Sequence, residues 1–223
     1  MPIDYDDMMQ SGATGLRAAY DEKDVMLYAL GVGMGRDPLD EHELPFVYEN
    51  NGLKVVPTFA SVINRGEAPP ENQRMPQKSE INFALVVDGE RRITMHKPLP
   101  SKCEVVAEER YLDILDKGEG KGAVLIQERV VREAASNDKL FTILTSIFAR
   151  GDGGFGGKSH GGPEPHVLPE PDAWCDRDKI VHRATASPRL RMDLSAASRM
   201  RTTRSPATPS LNGFVFSWMH LRK

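Results

Sequence analysis

The chain has 223 residues, 39% of them hydrophobic, with 29 Lys and Arg against 32 Asp and Glu and a formal net charge of -3. That balance, with a pI near 6.1, gives no reason to expect nucleic acid or an anionic membrane surface as a partner. The length suits one large domain or a domain and a half, and 19 Gly with 16 Pro and a mean hydropathy of -0.43 point to many turns.

The acidic start MPIDYDDMMQ has no apolar core, so no secretory leader is expected. No apolar run approaches the roughly 20 residues needed to span a bilayer. Cys103 and Cys175 stand far apart in no metal-like spacing and read as free thiols in a reducing compartment. The expectation is a soluble, intracellular protein with no membrane partner.

In chain order, the first predicted element is a helix over DEKDVMLYAL. It puts Val25, Met26, Leu27, Tyr28 and Leu30 on a broad apolar face and stops at Gly31. Asp37-Pro38 predicts a second helix, capped by Asp37 and carrying Leu44, Phe46, Val47 and Tyr48 up to Asn50-Asn51-Gly52. From Ile81 the period changes to that of strands. Ile81–Val87, a two-residue Asp88-Gly89 turn and Arg91–Lys97 predict a hairpin. Two longer strands follow, Cys103–Leu115 and Gly122–Glu133, separated by the turn DKGEGKG. Lys139–Arg150 closes the series as an apolar strand expected to be buried on both faces. Antiparallel strands around one apolar helix predict an α+β layer architecture.

Beyond Arg150 the composition changes. Residues 151–171 are dominated by Gly and Pro and read as a loop entering a linker. Residues 183–223 are rich in Ser, Thr, Arg and Pro, with a short apolar end at Phe214–Leu221, and are expected to be disordered. The predicted organisation is therefore a domain over 1–157, a linker over 158–182 and an atypical tail over 183–223.

Five stretches carry a family resemblance: LYALGVGMGRDPLDEHELPFVYENN, VVPTFASV, VVDGERRITMHKPLP, DKGEGKGAVLIQE and FARGDGGFGG. In order and spacing they resemble the N-terminal half of the MaoC-like (R)-specific 2-enoyl-CoA hydratases, or hydratase 2, across about two-thirds of the chain. The resemblance implies a hot-dog fold, a sheet wrapped around a helix, normally repeated twice in one chain. It implies reversible hydration of a trans-2-enoyl-CoA to the (R)-3-hydroxyacyl-CoA in fatty-acid β-oxidation, with the CoA thioester as substrate and no further cofactor. In such proteins the second repeat carries a Tyr-x-Leu-Ser-Gly-Asp-x-Asn-Pro-Leu-His motif, whose Asp and His supply the base for water and the acid for the α-carbon.

Here Leu27-Tyr28-Ala29-Leu30 matches the opening of that motif, but Gly33 stands where the Asp belongs and Asp40 where the His belongs. Gly33 cannot move a proton; Asp40 could in principle, but reads rather as a carboxylate at a helix N-terminus. No Gly-Asp-x-Asn-Pro-Leu-His follows Trp174. The catalytic repeat is expected to be absent or scrambled, through a frameshift or truncation, so no catalytic residue is assigned.

For substrate contacts the resemblance points to Asp88, Gly89 and Lys117, at the first hairpin turn and in the Asp-Lys-Gly turn. The family's His at the first of these is Asp88 here. Two readings stay open for each: Asp88-Gly89 as a plain turn or a thioester contact, Lys117 as a solvated loop residue or a partner of CoA phosphate. The Gly31–Gly35 run follows a helix rather than a strand, so no dinucleotide loop is expected. His160, His166 and His182 lack ligand spacing, so no metal site is expected either. A homodimer, or a heterodimer with another hot-dog chain, follows from the resemblance. So does the compartment: cytoplasm in a bacterium, peroxisome in a eukaryote.

Overall fold

A computed structural model describes residues 3–49, 52–164, 200–204 and 214–218, the last two as backbone only. The chain forms α1 (Tyr5–Met9), β1 (Gly12–Tyr20), α2 (Glu22–Gly31), α3 (Leu44–Val47), β2 (Gln73–Arg74) and β3 (Val86–Met95). Then come β4 (Cys103–Asp116), β5 (Ala123–Glu133), β6 (Lys139–Ala149), β7 (Met200–Arg204) and β8 (Phe214–Trp218). All pairings are antiparallel, in one sheet of order β2-β1-β4-β5-β6-β3-β8-β7.

The expected α+β class holds, and α2 lies against one face of the sheet. Asp21 closes a capping box with Asp24, accepting from the Lys23 and Asp24 N–H groups while Asp24 accepts from the Asp21 N–H. Val25 is buried in a cluster with Leu16, Val105, Val131, Phe141 and Ile143, and Ala29, one helical turn on, is fully buried as well. The apolar face is narrower than the sequence suggests. Leu27 and Leu30 are exposed, because successive residues turn by about 100° around the axis and only one side meets the sheet.

Phe59 seats α2 from above. Its ring meets Tyr20 and Tyr28 edge-on, at centroid distances of 5.1 Å and 5.5 Å. Both phenols find partners, Tyr28 donating to Thr58 Oγ1 at 2.7 Å and Tyr20 to the Pro100 carbonyl at 3.0 Å. Thus the LYAL and VVPTFAS stretches, thirty residues apart, form one packed unit. A second cluster, of Ile3, Met8, Ile114, Ala123, Leu125 and Ala149, sits where α1 covers the sheet.

Several elements differ from expectation. The helix predicted from Pro38 shrinks to Leu44–Val47. Pro45 lacks an N–H and belongs only in a first turn, so no helix can run through it from Pro38. Asp37 instead accepts from the Leu39 N–H in a local turn. The strand β1 has no counterpart among the predicted elements, since GATGLRAAY is poor in the β-branched residues that mark strands.

The predicted hairpin at Asp88-Gly89 does not form. Both residues lie inside the single strand β3, whose register against β6 shifts between Asp88 and Glu90. The dipeptide marks a β-bulge rather than a turn. β6 is also less enclosed than expected: Leu140, Phe141 and Ile143 are buried, whereas Thr142 and Leu144 through Phe148 are half-buried.

Residues 158–164, at the start of the predicted linker, run beside β4, where the Asp116 N–H donates to the Lys158 carbonyl at 2.8 Å. Of residues 183–223, for which the sequence predicts disorder, ten form the β7–β8 backbone hairpin. It pairs with β3 at Glu90–Ile93. The rest of that tail, with most of the predicted linker, lies outside the described residues.

Candidate functional site

A cleft of about 460 Å³ opens on the α2 face of the sheet, between the two apolar clusters. Strand register explains its floor. Glu109, Arg129, Ile143 and Ile93 pair in one row across β4, β5, β6 and β3. Tyr111, Gln127, Thr145 and Arg91 form the next row. Same-row residues share a face, so the charged groups converge beside the aliphatic ones.

The roof is the segment Ser61–Arg65, which follows the helical turn Pro57–Ser61. It is pinned to β1 at its end, where Arg17 and Glu67 exchange backbone hydrogen bonds of 2.9 Å and 3.2 Å. Gly66 between them has φ +76°, and a Cβ there would stand 2.3 Å from the Arg17 carbonyl oxygen, so only glycine fits.

Arg129 ties roof to floor. Its Nη1 and Nη2 donate to the Ile63 and Asn64 carbonyls at 3.3 Å and 2.8 Å, and its Nε lies 3.5 Å from Glu109 Oε1. That last contact is an ion pair without hydrogen-bond geometry, which leaves the buried Nε–H without an acceptor. Burial pulls the Arg129 pKa down while the Glu109 charge opposes it, and an arginine stays protonated throughout. Arg65 grips Glu109 from the roof through Nε and Nη2. On the other side Arg91 pairs with Asp88 at 2.9 Å, and its buried Nε also lacks an acceptor.

The sequence-derived candidates scatter around this cleft. Asp88 lines it. Gly89 is the bulge residue, its Cα position packed against the Ser146 carbonyl. Lys117 lies in the β4–β5 turn, at the same end of the sheet as Asp88 but three strands away, about 14 Å at ordinary strand spacing. Its ammonium donates to the Ser159 carbonyl at 2.7 Å.

Gly33 has a definite conformational task. The Gly33 N–H donates to the Leu30 carbonyl and the Met34 N–H to the Ala29 carbonyl, both at 3.0 Å, and Gly33 has φ +95°. This is the Schellman termination of α2, with Gly33 at its left-handed position. The helix ends at Gly31, as expected, and the left-handed residue that terminates it is Gly33. Asp40 organises the turn before α3: its Oδ1 accepts from the His42 N–H at 2.9 Å, and its carbonyl accepts from Glu43 and Leu44.

Sequence reasoning missed Glu109, Arg129, Arg65 and Arg91. Only Glu109 and Arg129 carried a signal, as charges at positions where β4 and β5 otherwise alternate apolar residues inward. It also missed the anchor of the glycine-rich exit loop. Asp116 accepts from the N–H groups of Gly118 and Gly154 on one oxygen and of Gly156 on the other, all within 2.8 Å. Those donors, Gly154 foremost, hold its carboxyl below the ordinary carboxylate range against the effect of burial.

Chemically, the cleft presents paired charges beside aliphatic walls. Among the described residues, both carboxylates lining it are in ion pairs with arginines, and no histidine lines it. Among the described residues no cluster of three or more His, Cys, Asp or Glu could hold a metal, and no helix is long and apolar enough to cross a membrane. Cys103 is a buried free thiol; Cys175, His166 and His182 lie outside the described residues.

An antiparallel sheet wrapped on one helix, with a cleft between a helical turn and the strands, defines a hot-dog domain. The sequence matches the family described as MFE-2 hydratase 2 N-terminal domain over residues 19–151. The chain belongs to that family. It is 37% identical over 147 residues to the peroxisomal enoyl-CoA hydratase 2 of Arabidopsis thaliana, spanning 64% of this chain and 46% of that protein. To the enoyl-CoA hydratase ChsH3 of Mycobacterium tuberculosis it is 35% identical over 173 residues, 76% of this chain and 58% of that one. The crystal structure of a MaoC-like dehydratase from Phytophthora capsici shares the fold, with a TM-score of 0.58 and 24% identity over 75% of this chain and 56% of that one. The chain thus spans about half the length of these relatives.

Proposed function

We propose that this chain is the substrate-accommodating half of an (R)-specific enoyl-CoA hydratase, holding acyl-CoA for the reversible hydration of trans-2-enoyl-CoA in fatty-acid β-oxidation. The observation that carries this reading is the family match over residues 19–151, which embraces α2, the roof segment and all of β3 through β6. Asp88, Gly89 and Lys117 share one end of the sheet, the end assigned to the thioester ligand, with the Lys117 ammonium as a mobile point charge for phosphate. The thioester is substrate, and the reading needs no other cofactor.

Catalysis is not assigned to these residues. Hydration needs a base for water and an acid for the α-carbon within hydrogen-bond reach, and Gly33 is occupied in terminating α2 while Asp40 shapes a turn. In this reading the proton-transfer pair belongs to a second hot-dog unit joined covalently to this one. A eukaryotic version would act in peroxisomes and a bacterial one in the cytoplasm.

Titration calorimetry with octanoyl-CoA, run beside a crotonyl-CoA hydration assay, tests the proposal. Binding without turnover is expected. Turnover above background by this chain alone would overturn the non-catalytic assignment, and no binding heat would overturn the acyl-CoA reading.

A second reading, a non-catalytic acyl-CoA-binding subunit for a separate catalytic hot-dog chain, rests on the same cleft geometry. Native mass measurement with such a chain separates the two: a stable hetero-complex that gains hydratase activity supports the subunit reading.

A further inference from the structure

The cleft is unlike a slot for a plain hydrocarbon chain. Three guanidinium groups, Arg65, Arg91 and Arg129, face two carboxylates, Asp88 and Glu109, leaving an excess of one positive charge. Arg129 is nine-tenths buried, and its Nε–H and that of Arg91 are buried without hydrogen-bond acceptors. Unmet donors on charged groups are rare in protein interiors and call for an acceptor. Val62, Ile63, Val86, Ile143 and Ile147 supply aliphatic walls beside them, and the volume of about 460 Å³ is that of a small-molecule pocket.

We propose that this cleft binds the carboxylate end of an aliphatic chain. A monoanion matches the single excess charge, and its two oxygens suit the planar guanidinium donors. The methylene body lies along the isoleucine and valine walls. A neutral alcohol leaves the excess charge uncompensated, and a phosphate dianion overshoots it. Taken with the acyl-CoA reading, on which this extension rests, the substrate class is an acyl thioester whose far end carries a carboxylate.

The full chain is titrated calorimetrically with octanoate, octanol and inorganic phosphate, then with suberyl-CoA and octanoyl-CoA, both eight-carbon acyl thioesters. Octanoate is expected to bind at least tenfold more tightly than octanol, and suberyl-CoA at least tenfold more tightly than octanoyl-CoA. Arg91→Gln, at a half-exposed position, is expected to weaken octanoate at least tenfold. Arg92→Gln, on the opposite face of β3 and paired with Glu90, should leave octanoate binding unchanged. Equal affinity for octanoate and octanol, or an unaltered Arg91→Gln, overturns the proposal. Displacement of octanoate by equimolar phosphate also overturns it, and makes the cleft a phosphate site. Octanoate binding that survives while octanoyl-CoA fails to bind supports the cleft and sinks only the acyl-CoA reading.

Discussion

The Arg91 guanidinium meets the Asp88 carboxylate at 2.9 Å, although the two residues are three positions apart in one strand. In a regular strand an odd separation sends side chains to opposite faces. The bulge at Gly89 adds one residue on β3 against β6, and that extra residue restores Asp88 to the face that carries Arg91.

Gly89→Ala tests this relationship. A Cβ at position 89 would sit 2.8 Å from the Ser146 carbonyl oxygen, too close for β6 to keep its place. Overpacking of this kind costs about 1 to 3 kcal/mol. A lower urea midpoint with an unchanged slope is the expected result; an unchanged midpoint means the bulge tolerates a side chain.

Gly33→Asp restores the residue type found at the family's catalytic position, yet it should restore no hydration of crotonyl-CoA. Residue 33 ends α2 in a left-handed conformation, where a side chain costs about 1 to 2 kcal/mol. The variant is expected to melt lower and to remain inactive. Measurable turnover would show that position 33 reaches the reacting atoms.

Glu109→Ala leaves Arg129 buried without its counter-charge. Breaking a buried pair from one side costs about 3 to 5 kcal/mol, so the single variant should be strongly destabilised in chemical denaturation. Replacing both partners with Glu109→Leu and Arg129→Met should cost less than Glu109→Ala alone, since no charge is then left buried. A double variant less stable than the single would overturn the isolated-pair view and assign the main role to the Arg129 bonds with Ile63 and Asn64.

Acid should loosen the end of the sheet where β4 meets the glycine-rich loop. Burial raises the Asp113 carboxyl, but Lys158, the Ile114 N–H and the Tyr5 hydroxyl outweigh it and hold it below the ordinary range. Asp116 is held low as well, by the N–H groups of Gly154, Gly118 and Gly156. A carboxyl whose pKa falls on folding contributes its full stability above its unfolded value, about 4, and loses it as pH falls through the folded value. Stability on their account is therefore flat above about pH 5 and declines below about pH 4. Asp116→Asn should flatten that acid limb in a series of urea midpoints; parallel curves for the two proteins would contradict the assignment.

Local chemistry made much of the fold legible in advance. The apolar spacing of DEKDVMLYAL announces α2, and the alternation along Cys103–Leu115 and Gly122–Glu133 announces β4 and β5 within a residue of their ends. The same five motifs identified the family, because motif order and spacing survive without any knowledge of packing. Elements that depend on context were not legible. β1 is built from Ala and Gly and exists because β4 and the Glu67 backbone pair with it. Asp88-Gly89 has the letters of a hairpin turn, and only the continuous pairing with β6 makes it a bulge.

The sequence by itself determined the class of the domain, the helix that the sheet encloses and the absence of a proton carrier at position 33, because glycine has no side chain to carry one. The tertiary structure alone decided where binding chemistry gathers. Glu109, Arg129, Arg91 and Arg65 come from four separate segments and meet only through strand register, one bulge and a roof pinned to β1. A register is a property of two strands together, and no single stretch of sequence contains it.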